Sequence, residues 1–112
     1  MRSVSILLAF ALVTFSNCSK PDNTPDTSAC IQNMIVNYSR EESCPDAKVD
    51  EYTFQGKTVY VFDSGTCGAD MTSAVVSSDC NTLGHLGGFA GNTKINGEDF
   101  SNASFVKTVW KK

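Results

Sequence analysis

Five cysteines are the residues of this sequence best suited to covalent chemistry, and their positions divide them into one and four. Cys18 follows an apolar segment near the N-terminus, whereas Cys30, Cys44, Cys67 and Cys80 are spread over the rest of the chain. An even number of cysteines in a secreted domain is typical of a disulfide framework. We therefore predict a lipid-modification site at Cys18 and two disulfides among the other four cysteines.

The segment before Cys18 has the layout of a secretion signal. Arg2 supplies a positive charge, and the apolar run from Ile6 to Phe15 is about half as long as a membrane-spanning helix. The residues Phe15-Ser16-Asn17-Cys18 resemble the lipobox of bacterial lipoproteins, with Asn17 where Gly or Ala is usual. We predict that residues 1–17 are a lipoprotein signal peptide and that Cys18 carries lipid, which includes a palmitate chain. An ordinary secretion signal, which would leave Cys18 as a free thiol, is the alternative.

The charge and length of the mature chain limit its class. Residues 18–27 are polar and are typical of a lipidated tether, so residues 28–112 remain for a single small domain. Without Arg2 the chain carries eight Lys and Arg against twelve Asp and Glu, a net charge of −4. An acidic domain without a basic cluster is a poor candidate for binding nucleic acid. We expect attachment to the bacterial outer membrane or cell surface through the lipid on Cys18.

The apolar pattern predicts an α+β fold with one N-terminal helix on a small antiparallel sheet of three to four strands. Ser28 is the predicted N-cap of a helix that runs to about Glu42. Its apolar residues recur at i, i+3, i+4 and i+7: Ile31, Met34, Ile35 and Tyr38. We expect this stripe to pack against Tyr52, Phe54 and one face of the second strand.

The strands are predicted from alternating and β-branched segments. Residues 50–55 and 58–63 form a hairpin around a turn at Gly56-Lys57, and the second strand is apolar on both faces, which places it at the centre of the sheet. Residues 73–78 are a third strand and residues 105–110 a last one. Residues 81–103 are predicted to be a long ordered loop with a short strand near Lys94-Ile95.

This order of elements predicts the disulfide pairing. Cys30 and Cys44 near opposite ends of one helix would lie about 21 Å apart, which is too far for a disulfide. An antiparallel return of the strands along the helix brings Cys67 beside Cys44 and Cys80 beside Cys30. We therefore predict the pairs Cys44–Cys67 and Cys30–Cys80. A zinc site made of the four cysteines would need close C-x2–4-C pairs, whereas 13, 22 and 12 residues separate these cysteines.

Few other residues suggest catalysis, a metal or a cofactor. His85 is the only histidine, and a nucleophile would have to use it as its base. The segment from Asn92 to Asp99 faintly resembles a calcium loop, but a turn at Asn96-Gly97 explains it better. Aromatic residues could stack on a sugar, although their positions favour a core: Tyr52, Phe54, Tyr60, Phe62 and Trp110. We predict no metal, no cofactor and no enzymatic activity.

The stretch from about Cys30 to Trp110 resembles a family of small cysteine-containing bacterial lipoproteins with a domain of unknown function. The resemblance rests on Cys-Ile-x-x-x-Ile at 30–35, Cys44, the hairpin Tyr52 to Tyr60, Cys67, Cys80 with Gly87-Gly88 downstream, and Val109-Trp110. It implies the fold and the envelope address, and it brings no catalytic residue.

These observations favour a non-catalytic lipoprotein module that binds a protein or a small ligand at the cell envelope. An inhibitor of a secreted hydrolase is the first alternative, and a small enzyme is the second. The interaction surface is predicted on the loop from Asn81 to Asn92, with His85 and Phe89 exposed there, while Leu83 and Leu86 fill the core.

Overall fold

A computed structural model describes residues 27–112. The signal peptide, Cys18 and the tether up to residue 26 lie outside the described residues. The described part contains one α-helix, a five-stranded antiparallel sheet and a small two-stranded sheet. The predicted α+β class is confirmed, and the predicted three to four strands are too few. No helix within residues 27–112 is both long enough and apolar enough to span a membrane.

The helix α1 spans Ala29–Glu41 and has the predicted N-cap. The backbone N–H of Ile31 donates to the Ser28 hydroxyl at 3.4 Å, which satisfies one of the free donors of the first turn. The helix ends after Glu41, where the N–H of Glu42 still donates to the carbonyl of Tyr38 at 2.9 Å. Pro45, which cannot continue a helix, follows shortly afterwards.

Seven strands follow the helix: β1 (Lys48–Phe54), β2 (Lys57–Asp63), β3 (Thr72–Ser77), β4 (Thr82–Gly87), β5 (Lys94–Ile95), β6 (Glu98–Asp99) and β7 (Ser104–Lys111). The large sheet has the order β4-β3-β2-β1-β7, so β2 is central as predicted, and β5 pairs with β6. The β1–β2 turn is Gln55-Gly56 rather than Gly56-Lys57, because Lys57 already pairs with Phe54. Both turn residues have positive φ, as a two-residue hairpin turn requires.

Helix α1 covers one face of the sheet, which we call the helix face. Ile31 is fully buried there against Val49, Tyr60, Phe62 and Val76. The rings of Tyr38 and Phe62 pack edge to face with centroids 5.3 Å apart, and the ring of Trp110 in β7 packs on Tyr38 in the same way at 5.7 Å. The helical stripe therefore packs on the sheet, but its expected contact with Tyr52 and Phe54 is wrong.

Tyr52 and Phe54 point to the opposite side, the outer face, because side chains alternate along a strand and Val49 already occupies the helix face. Phe54 is buried there with Val59, Val61, Val75 and Ile95. The cover for this second apolar face comes from the chain between β4 and β7: the β5–β6 hairpin and a short 3₁₀ helix, Phe100–Asn102.

The predicted long loop at residues 81–103 is thus mostly regular structure. Its beginning is the edge strand β4, which pairs with β3, and its middle is the β5–β6 hairpin. The predicted short strand at Lys94-Ile95 is present, and Asn96-Gly97 forms the turn, both with positive φ. Glycines weakened the strand signal of β4, because Gly84 and Gly87 interrupt its apolar residues.

Two disulfides join the layers, and they are the two predicted pairs. Cys30 at the start of α1 is bonded to Cys80 after β3, with Cα atoms 6.1 Å apart. Cys44 after α1 is bonded to Cys67 after β2, with Cα atoms 5.8 Å apart. Each end of the helix is therefore linked covalently to the sheet.

Candidate functional site

The end of β4 forms a turn that projects one aromatic side chain into solvent. Gly87 and Asn92 exchange two backbone hydrogen bonds, Gly87 N–H to Asn92 at 2.8 Å and Asn92 N–H to Gly87 at 3.1 Å. Between them, the N–H of Gly91 donates to the carbonyl of Gly88 at 3.0 Å. We call residues 88–91 the Phe89 turn.

Glycine is required at position 88 of this turn. Its φ is +77°, a conformation that other residues adopt only with strain, and a Cβ there would lie 2.7 Å from the Cγ2 of Thr72. The N–H of Gly88 also donates to the carbonyl of Met71 at 3.1 Å. The turn is therefore tied to the start of β3 as well as to its own base.

The side chain of Asn92 fixes the base of the turn. Its amide donates to the carbonyl of His85 at 2.6 Å and to the carbonyl of Lys94 at 3.0 Å. Its Oδ1 accepts the backbone N–H of Lys94 at 3.3 Å. One side chain thus connects β4 to β5 across the turn, which holds the turn in one conformation.

The side chain of Phe89 is 93% exposed, which is more than that of any other large hydrophobic residue within residues 27–112. The others are Val36, Phe105 and Val106, each about half exposed. A phenyl ring that stays in water contributes no burial to the fold, and on a fixed turn it is available as an anchor for a partner.

The predicted interaction residues are both exposed, but they belong to different elements. His85 lies within β4, opposite Ala74, and lines a shallow groove of about 270 Å³ on the helix face together with Met34 and Tyr38. Phe89 lies beyond the end of the strand. The prediction of one loop that carries both residues is therefore wrong, whereas Leu83 and Leu86 are half-buried against the outer core, as expected.

One group of side chains has the composition of a metal site. Ligand atoms of Cys44, Asp46 and Cys67 lie within 4.8 Å of one another. The two sulfur atoms are bonded to each other, so neither is a thiolate that could bind a metal. The carboxylate of Asp46 instead accepts from Thr66, from the hydroxyl at 2.5 Å and from the backbone N–H at 3.1 Å. These hydrogen bonds, that of the hydroxyl first, hold the pKa of Asp46 below its usual value.

The aromatic residues divide between the two faces of the sheet. Tyr60, Phe62 and Trp110 belong to the helix-face core, and Phe54 is buried on the outer face. Tyr52 is half-buried and borders an outer groove, which sequence reasoning did not predict because its walls come from segments far apart in the chain. Within the sequence, the only hint of this groove was Phe100 with the polar residues that precede it.

The fold and the turn define a class: a small α+β domain, crosslinked by two disulfides, that presents an exposed aromatic residue on a fixed turn. The family model for the domain of unknown function DUF6970 matches residues 36–112, and the chain belongs to this family. The predicted resemblance to a domain of unknown function is thereby confirmed. No curated protein and no solved structure matches the chain.

Proposed function

We propose that this chain is a bacterial envelope lipoprotein, held at the outer membrane or cell surface by lipid on Cys18. Its folded domain is a non-catalytic module that binds a partner protein through the Phe89 turn. The observation that carries the proposal is the 93% exposure of Phe89 on a turn fixed by hydrogen bonds at its base.

The energetics favour a binding role for Phe89. Covering a phenylalanine side chain contributes about 1.5–3 kcal/mol, which corresponds to roughly ten- to a hundredfold in affinity. Because the turn is already ordered by the bonds of Asn92 and Gly88, little conformational entropy is lost when a partner covers it. A pre-organised aromatic residue of this kind resembles the anchors that dominate protein interfaces.

The proposed envelope location accounts for both the polar tether and the disulfides. A tether of about ten residues would hold the domain away from the membrane, and disulfides persist outside the cytoplasm. Replacing Cys18 by serine should abolish incorporation of labelled palmitate and release the protein from the membrane fraction. If the parent protein takes up no label and the variant stays in the membrane fraction, the lipoprotein proposal is wrong.

Partner binding is tested with the mature chain carrying Cys18→Ser, which is soluble under the proposal. The parent, a Phe89→Ala variant and a Val36→Ala variant are immobilised and exposed to envelope extract. Val36 is the matched control, because it is an exposed hydrophobic residue on the helix, 47% accessible. A protein retained by the parent and by Val36→Ala, but lost with Phe89→Ala, supports the proposal. Equal retention by all three contradicts it.

An inhibitor of a secreted hydrolase is the second candidate, and the geometry of the turn favours it. Such an inhibitor would need a rigid exposed loop, and the Phe89 turn is exposed and fixed by hydrogen bonds at its base. If the retained partner is a hydrolase, its activity should fall when the parent chain is added and should be unaffected by Phe89→Ala. If the parent chain does not diminish the hydrolase activity, the inhibitor proposal is wrong and only the binding module remains.

A further inference from the structure

A groove of about 610 Å³ lies on the outer face of the sheet; it shares Asn92 with the base of the Phe89 turn, but none of residues 88–91 lines it. We call it the outer groove. Eight residues line it: Tyr52, Leu86, Asn92, Thr93, Asp99, Phe100, Ser101 and Ala103. Its volume is within the range of small-molecule sites, about 300–1,000 Å³.

One wall of the outer groove is apolar and aromatic. The rings of Tyr52 and Phe100 meet edge to face with centroids 5.1 Å apart, and Phe105 contacts Tyr52 from the side of β7 at 5.6 Å. Behind them the buried ring of Phe54 packs on Phe100 at 5.0 Å, which holds this wall in place. The electron-rich faces of such rings attract the weakly positive C–H groups of a ligand.

The rest of the lining is largely polar. Thr93, Asp99 and Ser101 are exposed and lie on the segment that runs from just before β5 to the 3₁₀ helix. The hydroxyl of Thr93 donates to Oδ1 of Asp99 at 3.3 Å, and within residues 27–112 no donor contacts Oδ2. The backbone here is fixed, because the N–H of Phe100 donates to the carbonyl of Thr93 at 2.9 Å. A carboxylate and two hydroxyls therefore line the groove together with the aromatic rings.

The charge of the lining selects among ligands. Of the residues within 27–112 that line the groove, only Asp99 is charged, and neither lysine nor arginine is among them. The hydroxyl of Tyr52 is protonated at neutral pH, as is usual for tyrosine, and burial raises its pKa further. The carboxylate of Asp99 disfavours a phosphate or another anion, and no described cationic side chain of the lining offsets it, whereas a neutral polyhydroxylated molecule meets acceptors, donors and ring faces together.

We propose that the outer groove binds a neutral saccharide, with a sugar ring packed on the wall formed by Tyr52 and Phe100 and its hydroxyls bonded to Asp99 and Ser101. A saccharide is the ligand class with an apolar C–H face and a hydrogen-bonding rim on one ring.

The test uses the mature chain with Cys18→Ser, labelled with ¹⁵N, and three neutral trisaccharides as probes: maltotriose, cellotriose and tri-N-acetylchitotriose. Each probe is added up to about 20 mM, a range that covers the weak affinities of shallow sites. The proposal expects saturable shifts for the amides of Thr93, Asp99, Ser101 and Ala103 with at least one probe. Absence of shifts with all three, or shifts confined to other regions, would overturn it.

Two variants locate the interaction. Asp99→Ala should weaken binding about tenfold, since a hydrogen bond to a charged group is lost, whereas the exposed helical control Glu41→Ala should leave affinity unchanged. Tyr52→Leu removes the ring while keeping an apolar side chain and should also weaken binding. If Tyr52→Leu unfolds the chain, Asp99→Ala alone decides. Equal affinity for the parent and Asp99→Ala would overturn the proposed site.

Discussion

Gly87 and Asn92 exchange two backbone hydrogen bonds at the point where β4 ends. This pair closes a four-residue loop, and the side chain of Asn92 then crosses from β4 to β5 through three further hydrogen bonds. Phe89 projects from the closed loop and is 93% exposed in the described part of the chain. The hydrogen-bonded turn therefore holds an aromatic side chain that is not part of the core.

Replacing Asn92 by alanine should loosen this turn without unfolding the domain. Three hydrogen bonds disappear, but they lie at the surface, so the free energy of unfolding should fall by about 1–2 kcal/mol. Urea unfolding measures this change, and faster amide exchange at Gly91 and Lys94 should accompany it. Unchanged exchange at both amides would show that Asn92 does not hold the turn.

The two disulfides should contribute unequally to stability. In the loop-entropy account, stabilisation grows with the length of chain that the disulfide closes, and the sequence separation is 50 for Cys30–Cys80 and 23 for Cys44–Cys67. Double replacement by alanine should lower the free energy of unfolding by about 4 kcal/mol for the first pair and about 3 kcal/mol for the second. Urea unfolding of the two variants gives the comparison, and a larger loss for Cys44–Cys67 would contradict this ranking.

Acid should weaken the link between Asp46 and Thr66. Because hydrogen bonds from Thr66 lower the pKa of Asp46 in the folded chain, the ionised carboxylate adds stability above its unfolded pKa of about 3.8. This contribution is lost as pH falls through the lower folded-state pKa. Asp46→Asn should therefore be less stable than the parent at pH 7 and nearly as stable as the parent at a pH below the folded-state pKa of Asp46. A difference that is the same at both pH values would contradict this linkage.

Asp50 is a buried carboxylate on the outer face of β1, only 4% exposed. The hydroxyl of Thr108 donates to it at 2.7 Å, and the ammonium group of Lys48 lies at 3.2 Å. Thr108→Val removes the donor from a buried charge and should cost about 1.5–3 kcal/mol in the free energy of unfolding. Lys48→Ala should cost less than about 1 kcal/mol, because the lysine side chain is 43% exposed and solvent already screens the pair. Equal costs in chemical denaturation would refute this division.

Local patterns in the sequence predicted the elements that rest on local chemistry. The N-cap at Ser28, the apolar stripe of α1 and the central position of β2 follow from side-chain type and period, and the structure has all three. The cysteine pairing followed from the same layout, because helix length alone separates Cys30 from Cys44.

Other features depend on distant parts of the chain. Both faces of β2 are apolar, and no local pattern says which face the helix takes and which face Tyr52 and Phe54 share. The helix took the face of Val49 and Tyr60, and the β5–β6 hairpin covered the other. β4 was missed because its glycines hide a strand that pairing with β3 stabilises. The outer groove could not be predicted, since β1, β4 and the 3₁₀ helix form it jointly.

The measurement that tests the proposed binding role most directly is site-specific photo-crosslinking in intact cells that make the full chain. A photoreactive phenylalanine analogue replaces Phe89 in one strain and Val36 in another, so that two exposed hydrophobic positions on different elements are compared. The proposal predicts a discrete protein adduct from position 89 that is absent from position 36. No adduct from position 89, or the same adducts from both positions, would contradict a partner site at the Phe89 turn.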